Sequence, residues 1–204
     1  MSVIRPEWTS RRNAELGATA TSSGTLAAGA YFGLKLPGET PELFAPGIIN
    51  IPGRSVGRIA FSPDATECAF TVFESVYANN RILFTRFENG AWTPQMPFPS
   101  VDGRKSLEPL FSRDNSRLYF TVRAAGDSPN GDFWEAQRSA EGWGQPQPLS
   151  APLNSTQNEF CLTQTADGTM YFASAREGGP AASTPTARPQ NPVSRCRSKI
   201  WGSR

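Results

Sequence analysis

The sequence predicts an all-β protein, and two observations point to that class. The stretch FSPDATECAFTV at residues 61–72 returns in similar form as FSRDNSRLYFTV at residues 111–122. The 204 residues include 18 glycines and 18 prolines, which are spread along the chain as in a turn-rich β protein. With 38% hydrophobic residues the chain can bury one ordinary core, and nothing in it requires two domains.

Three hairpins align on the aspartates Asp64, Asp114 and Asp167, which stand 50 and 53 residues apart. Their sequences are RIAFSPDATECAFTV, EPLFSRDNSRLYFTV and CLTQTADGTMYFAS. In each hairpin a first strand meets a turn at the aspartate and continues into a second strand rich in β-branched and aromatic residues. A period of about 40 to 50 residues is typical of a propeller blade made of four antiparallel strands. Each hairpin is therefore interpreted as the inner half of one repeat.

The aspartate of each hairpin is predicted to have a structural role in its turn. A short carboxylate there accepts hydrogen bonds from backbone N–H groups just ahead of it. The next residue is expected to have a positive φ, which Gly168 and Asn115 tolerate. Ala65 stands at that position in the first hairpin and would carry a strain of about 1 kcal/mol. The first hairpin is therefore predicted to be the weakest.

The outer half of each repeat is predicted from two further segments. RILFTRF at 81–87 and DFWEAQR at 132–138 have the pattern of a third strand. NGAWTPQMPF and EGWGQPQPL follow them and place Trp92 and Trp143 just after a glycine turn. Both segments contain proline, which a central strand excludes and an edge strand accepts, so the fourth strand is predicted to be the outermost. The two tryptophans are predicted to anchor that strand.

These residues resemble the TolB-like, WD-repeat-like β-propeller repeats of bacteria. The matching pieces are FSPD and FSRD, LYFT and MYFAS, the tryptophan turns, PLNSTQNEF at 152–160 and YFGLKLPGETPELFAPGII at 31–49. The resemblance covers about residues 30–180 and implies a propeller of four-stranded antiparallel blades. It also implies a periplasmic or secreted protein that binds an unidentified protein or small ligand.

The propeller is predicted to be incomplete, with about two and a half blades after a lead-in strand. It occupies residues 30–180, divided into a lead-in at 30–55, blades at 56–100 and 106–152, and a partial blade at 158–180. LFAPGIIN at 43–50 is similar to LSAPLN at 149–154, so it is predicted to be a lone outer strand of the kind that closes a propeller ring. Three incomplete blades leave faces uncovered, and the isolated chain is expected to aggregate or stay partly unfolded.

The two ends of the sequence are predicted to be disordered, over residues 1–29 and 181–204. The later segment has no strand periodicity, although the blade pattern calls for Gly-Gly-Phe-Asp-x-Tyr there. Consider the shifted reading frame that takes the last base of each codon together with the first two bases of the next codon. In that frame, possible codons for residues 180–186 can encode this peptide. We therefore hypothesise a frameshift near residues 178–180 and a non-native tail after it, which the nucleotide sequence tests.

Composition excludes several classes of function. The net charge of +2, with acidic and basic residues interleaved, provides no basic stripe for nucleic acid. No apolar run reaches the roughly 18 residues of a transmembrane segment. The chain has no histidine, and three widely spaced cysteines form neither a disulfide framework nor a metal knuckle, so no metal and no cofactor are predicted. GRSVG at 53–57 precedes a strand and is interpreted as a connector rather than a nucleophile elbow.

The remaining candidates for ligand binding are Arg58, Glu108 and Glu159. They are expected at or near the start of the innermost strand in their repeats. There they would line one mouth of a central channel. The alternative interpretation is that they are solvated residues at strand ends without a ligand. The function predicted is non-enzymatic binding or scaffolding. The alternative is a hydrolase or the accessory propeller of a hydrolase, related to glycosidases, sialidases or peptidases.

Overall fold

The computed structural model describes residues 30–34, 39–73, 80–99, 101, 103–124 and 130–176, and the backbone of 198–199. These residues form antiparallel sheets and, over Ala30–Gly33, one short 3-10 helix. The all-β class is confirmed. The segments 1–29 and 181–204, predicted to be disordered, lie outside the described residues, apart from the two-residue strand Ser198–Lys199.

The first sheet, called blade 1, contains five strands in the order of the chain. They are β1 (Ser55–Phe61), β2 (Glu67–Phe73), β3 (Asn80–Glu88), β4 (Ala91–Trp92) and β5 (Met96–Pro97). The central strand β2 pairs with β1 and β3, and the two short strands β4 and β5 both pair with the far side of β3. The fourth strand is therefore the outermost, as predicted. Its prolines divide it into the two short strands β4 and β5.

The second sheet, blade 2, repeats this order, and the third, blade 3, repeats part of it. Blade 2 has β6 (Lys105–Phe111), β7 (Arg117–Arg123), β8 (Gly131–Ser139), β9 (Gly142–Trp143) and β10 (Gln147–Pro148). Blade 3 has β11 (Glu159–Gln164), β12 (Met170–Ser174) and β13 (Ser198–Lys199). The strands of blade 3 pair in the order β11-β12-β13, so β13 occupies the position of a third strand.

The blades pack face to face through alternate residues of their central strands. From β2, Phe70 contacts the lead-in segment, whereas Ala69 contacts blade 2. From β7, Phe120 contacts blade 1, whereas Tyr119 contacts blade 3. Blades 1 and 2 therefore each bury residues on both faces, which is the arrangement of successive blades in a partial β-propeller. This confirms the predicted fold class.

The innermost strand of each blade carries a β-bulge, which in blade 1 lies one residue earlier, relative to the turn aspartate, than in blades 2 and 3. The register with the central strand shifts by one residue between Val56 and Ile59, between Leu107 and Leu110, and between Phe160 and Thr163. A bulge bends a strand and changes the direction of a side chain. Two of the bulged residues, Glu108 at φ 58° and Cys161 at φ 57°, have the left-handed backbone that non-glycine residues rarely adopt.

The turn after each innermost strand has the predicted backbone. Ala65, Asn115 and Gly168 have φ of 55°, 60° and 88°. The N–H of each donates to the carbonyl oxygen three residues earlier, over 2.8, 3.0 and 3.1 Å. The expected strain therefore falls on Ala65.

Replacing Ala65 by glycine is expected to stabilise the protein by about 0.5–1 kcal/mol, because glycine adopts this backbone without a Cβ penalty. Chemical denaturation measures the change. Ala140, an exposed turn residue without a positive φ, is the control, and Ala140→Gly should not stabilise. Equal effects of the two substitutions would show that strain at residue 65 is not the cause.

The lead-in segment does not form the outer strand that the sequence predicted. Residues 43–50 make a turn with an isolated bridge between Pro46 and Asn50. Ala45 and Ile49 are fully buried and pack on blade 1 with Phe32. In blades 1 and 2 the outer strand pairs with the third strand of the blade. In the described part of the chain no such third strand lies beside this turn, so residues 43–50 have no neighbour for the backbone hydrogen bonds of a strand.

Candidate functional site

Arg58 and Glu108, expected at or near the start of their strands, lie at the inner-strand bulges. Arg58 is inside Ser55–Phe61 and Glu108 is inside Lys105–Phe111. Both side chains are half-buried. β1 and β6 begin at Ser55 and Lys105, three residues before Arg58 and Glu108.

The carboxylate of Glu108 joins blade 2 to blade 3. One oxygen, Oε2, accepts hydrogen bonds from the backbone N–H of Cys161 over 2.8 Å and from the hydroxyl of Thr121 over 3.1 Å. The other, Oε1, is 3.7 Å from the Cys161 thiol. Glu108 therefore satisfies the N–H of the bulged residue in the next blade, which has the same strained backbone as its own.

A threonine performs the corresponding task between blades 1 and 2. The Thr71 hydroxyl accepts a hydrogen bond from the backbone N–H of Glu108 over 3.0 Å. Thr71 and Thr121 are each 1% exposed and occupy the same place in the repeated stretch FTV. Sequence analysis did not single out these threonines or Cys161, although the exact recurrence of FTV was a signal for the first two.

Arg58 extends from blade 1 to blade 3. Its Nη1 donates to the carbonyl oxygen of Leu162 over 2.8 Å. Leu162 follows Cys161, whose N–H contacts Glu108. The inner strands of three blades thus bring Arg58, Glu108 and the Cys161–Leu162 bulge into one polar cluster, which we call the axial cluster.

Glu159 stands apart from these contacts, as the first residue of β11. Its side chain is 0% exposed and accepts hydrogen bonds from the Ser155 hydroxyl over 2.6 Å, the Ser174 hydroxyl over 2.8 Å and Arg176 over 3.3 Å. The Ser155 backbone N–H adds a fourth, over 3.1 Å. Its carboxylate holds blade 3 to the segment that enters it, and its predicted ligand contact remains a prediction.

The three turn aspartates make nearly identical contacts. In each turn Oδ1 accepts a backbone N–H two residues ahead over 3.1 Å and also a hydroxyl two residues before. The Ser112 hydroxyl, then the N–H and hydroxyl of Ser116, lower the pKa of Asp114 to about 2. The same kind of contact, first from the Thr165 hydroxyl, lowers the pKa of Asp167. Burial raises the pKa of Asp64, but hydrogen bonds from Ser62 and Thr66 outweigh it.

Acid is expected to weaken the Asp114 turn. Its pKa in the folded protein, about 2, lies below the ordinary value of 3.8, so its contribution is complete above about pH 4 and is lost as the pH falls through about 2. Urea unfolding across that range should show a smaller pH dependence for Asp114→Asn than for wild type. Identical pH dependences would show that the carboxylate does not stabilise the turn.

The two tryptophans pack in corresponding aromatic clusters. Trp92 is 4% exposed, with its ring centroid 4.5 Å from Phe32 and 6.4 Å from Phe61. The half-buried Trp143 lies 5.9 Å from both Phe98 and Phe111. Each indole joins the outer strand of its blade to the innermost strand of that blade and to the preceding segment.

An ion pair crosses between blades 1 and 2 on the rim, away from the axial cluster. Glu67, 6% exposed, accepts two hydrogen bonds from Arg138, over 3.0 and 2.5 Å. Arg138 also donates to Asn115 and lies 4.2 Å above the Trp143 ring. Hydrogen bonding to Glu67 raises the pKa of Arg138. Sequence analysis missed this pair, since blade 1 and blade 2 have different residues at its positions.

Two features of the described residues bear on metal binding and on thiol reactivity. No three histidine, cysteine, aspartate or glutamate residues there come together as metal ligands. Cys68 is 0% exposed, and burial raises the pKa of its thiol to about 12, so it packs as a small apolar residue. Across the described ranges, no helix has the length and apolarity needed to cross a bilayer.

Comparisons find similarity at the level of structure. No protein-family model matches the chain, and no curated protein matches its sequence. It is similar to the crystal structure of TolB from Acinetobacter baumannii, with 22% identity, a TM-score of 0.43, and 62% of this chain and 28% of that chain covered. A prolyl endopeptidase structure gives 15% identity, a TM-score of 0.34, and 60% and 24% coverage.

A third similar structure is the post-proline cleaving enzyme from Rickettsia typhi, with 9% identity, a TM-score of 0.36, and 63% of this chain and 18% of that chain covered. The chain therefore spans less than a third of the length of each of these three structures. These likenesses concern the fold alone.

Proposed function

We propose that this chain is a non-enzymatic binding or scaffolding module that contacts a protein or small ligand through its axial cluster. The convergence of polar groups from three blades carries this proposal: Arg58 reaches Leu162, and Glu108 reaches Cys161. Strained residues such as Glu108 and Cys161 recur at ligand sites, where the surrounding structure holds them in place.

Arg58 is the group best suited to contact a ligand. Its guanidinium has five N–H donors, and the contact with Leu162 uses one of them. Arginine binds planar carboxylates through two parallel hydrogen bonds, and the half-buried position of Arg58 reduces competition from water. The ligand proposed therefore carries an acceptor group, such as a carboxylate or an exposed peptide carbonyl. By analogy with the resemblance to TolB-like repeats, we place this activity in the bacterial envelope.

An array of immobilised random peptides tests binding. Wild-type protein is expected to bind a subset of acidic or carboxylate-ended peptides, and Arg58→Gln should weaken binding to that subset by about tenfold or more. Arg113 is the matched control, because it is exposed in a turn and its substitution to glutamine should leave binding unchanged. Unchanged binding by Arg58→Gln would contradict the proposed site.

A panel of chromogenic glycosides and prolyl peptides tests the absence of catalysis. We expect no turnover, because the axial cluster pairs its carboxylate with a backbone N–H and a threonine rather than with a second catalytic group. Turnover that disappears in Glu108→Gln would favour the hydrolase alternative and overturn the binding function. Circular dichroism of the variant checks that it remains folded.

A further inference from the structure

The interface between blades 1 and 2 has polar groups at both of its ends, and the two ends differ in hydrogen bonding. At one end Glu67 of blade 1 binds Arg138 of blade 2 through two hydrogen bonds. Beside this ion pair the Asn115 side chain donates to the Asp64 carboxylate over 2.9 Å and accepts from Arg138 over 2.8 Å. Side-chain hydrogen bonds therefore join the two blades at this end, which we call the paired end.

Two further polar side chains face the same interface. Asn80 begins β3, two residues before Ile82, whose side chain packs against blade 2. Ser106 of β6 pairs with Val122, whose side chain packs against blade 1. Side chains two residues apart on a strand share a face, and so do those of paired residues on neighbouring strands. Asn80 therefore faces blade 2, and Ser106 faces blade 1.

Both side chains lie at the end of the interface opposite the ion pair. Glu67 is the first residue of β2, and its partner Arg138 is near the end of β8, which runs in the same direction as β6. The end of β2 and the start of β6 therefore lie together, away from the ion pair. Asn80 pairs with Phe73, the last residue of β2, and Ser106 is the second residue of β6.

The polar atoms at this second end are buried without hydrogen bonds. Asn80 is 5% exposed and Ser106 is 4% exposed. Neither the Asn80 Oδ1 nor the Ser106 Oγ has a hydrogen-bond partner among the residues that the structure describes, and the same holds for Nε1 of Trp134, which packs in this interface. A polar atom that is buried without a partner costs free energy, which contact with water recovers. We call this the unpaired end.

We propose that blades 1 and 2 separate at the unpaired end while the paired end holds them together. Separation admits water to Asn80 and Ser106, so it needs less free energy than global unfolding. The movement reaches the axial cluster, because the Glu108 N–H donates to the Thr71 hydroxyl across this interface. Opening releases that N–H and loosens the bulge from which the Glu108 carboxylate reaches Cys161. The interface is thus a hinge that controls the shape of the axial cluster.

Hydrogen exchange of the Glu108 amide, followed by NMR, tests the hinge without any ligand. Glu108 falls in the register shift between β6 and β7, and its N–H is bonded to blade 1, so its exchange reports separation of the blades. In wild type it should exchange faster than the amide of Phe120, which lies in the central strand of blade 2. Ser106→Ala removes the unpaired hydroxyl and favours the closed interface. It should slow exchange of Glu108, relative to Phe120, by about fivefold or more.

Ser112 provides the matched control, because it is a buried serine just beyond the other end of β6. It is 3% exposed, but its hydroxyl donates to Asp114 over 2.6 Å and accepts the Arg117 N–H over 2.9 Å. Ser112→Ala should therefore not slow exchange of Glu108. Equal wild-type rates for Glu108 and Phe120, no slowing in Ser106→Ala, or equal slowing in both serine variants would each overturn the proposal.

Discussion

Replacing Trp92 by alanine is expected to lower the free energy of unfolding by about 3–5 kcal/mol. The indole is 4% exposed and fills the space between Phe32 of the lead-in, Phe61 of β1 and Phe87 of β3. The surrounding rings belong to three different segments, so they cannot all move into the cavity that the substitution leaves. The cost therefore includes the lost burial and the residual cavity.

Chemical denaturation with two-state analysis measures this loss. Trp143→Ala, at the corresponding position of blade 2, is the control, because Trp143 is only half-buried. It should cost less than Trp92→Ala. A loss below about 1 kcal/mol for Trp92→Ala would show that the lead-in does not pack on blade 1 in solution.

Replacing Arg138 by methionine is expected to destabilise the protein by about 2–4 kcal/mol. The substitution leaves Glu67, 6% exposed, without its charged partner and removes the hydrogen bonds to Asn115. Methionine keeps much of the side-chain volume over the Trp143 ring, so the loss reports the missing charge more than the missing packing.

A double variant separates the ion pair from other effects of the substitution. Glu67→Leu together with Arg138→Met removes both charges and should be more stable than Arg138→Met alone, because no buried carboxylate remains unpaired. A double variant that is less stable than the single one would show that Glu67 is stabilised by groups other than Arg138.

The sequence predicts the blades well because their signals are local. The turn at Asp64, Asp114 and Asp167 needs only a carboxylate and the backbone within two residues of it. Positive φ at Ala65 follows from the same alignment. Proline likewise marks the outer strand within its own segment, since it lacks the N–H that a central strand requires.

The axial cluster is harder to predict because it depends on contacts between blades. The bulge moves Arg58 and Glu108 away from the positions that regular alternation assigns them. The bonds from Arg58 to Leu162 and from Glu108 to Cys161 join residues 104 and 53 positions apart; the repeat spacing aligns Glu108 with Cys161 but does not show that the two residues touch. Glu159 was grouped with these residues by its position near a strand start, but its partners come from blade 3 and its entry segment.

Amide hydrogen exchange, followed by mass spectrometry, compares the three blades in a single measurement. If the chain forms successive packed blades, the central strands Glu67–Phe73, Arg117–Arg123 and Met170–Ser174 should all exchange slowly, because each is paired on both sides. The turns between the first two strands should exchange within seconds. Slow exchange in all three strands supports the three-blade arrangement, and fast exchange in any one of them would contradict it.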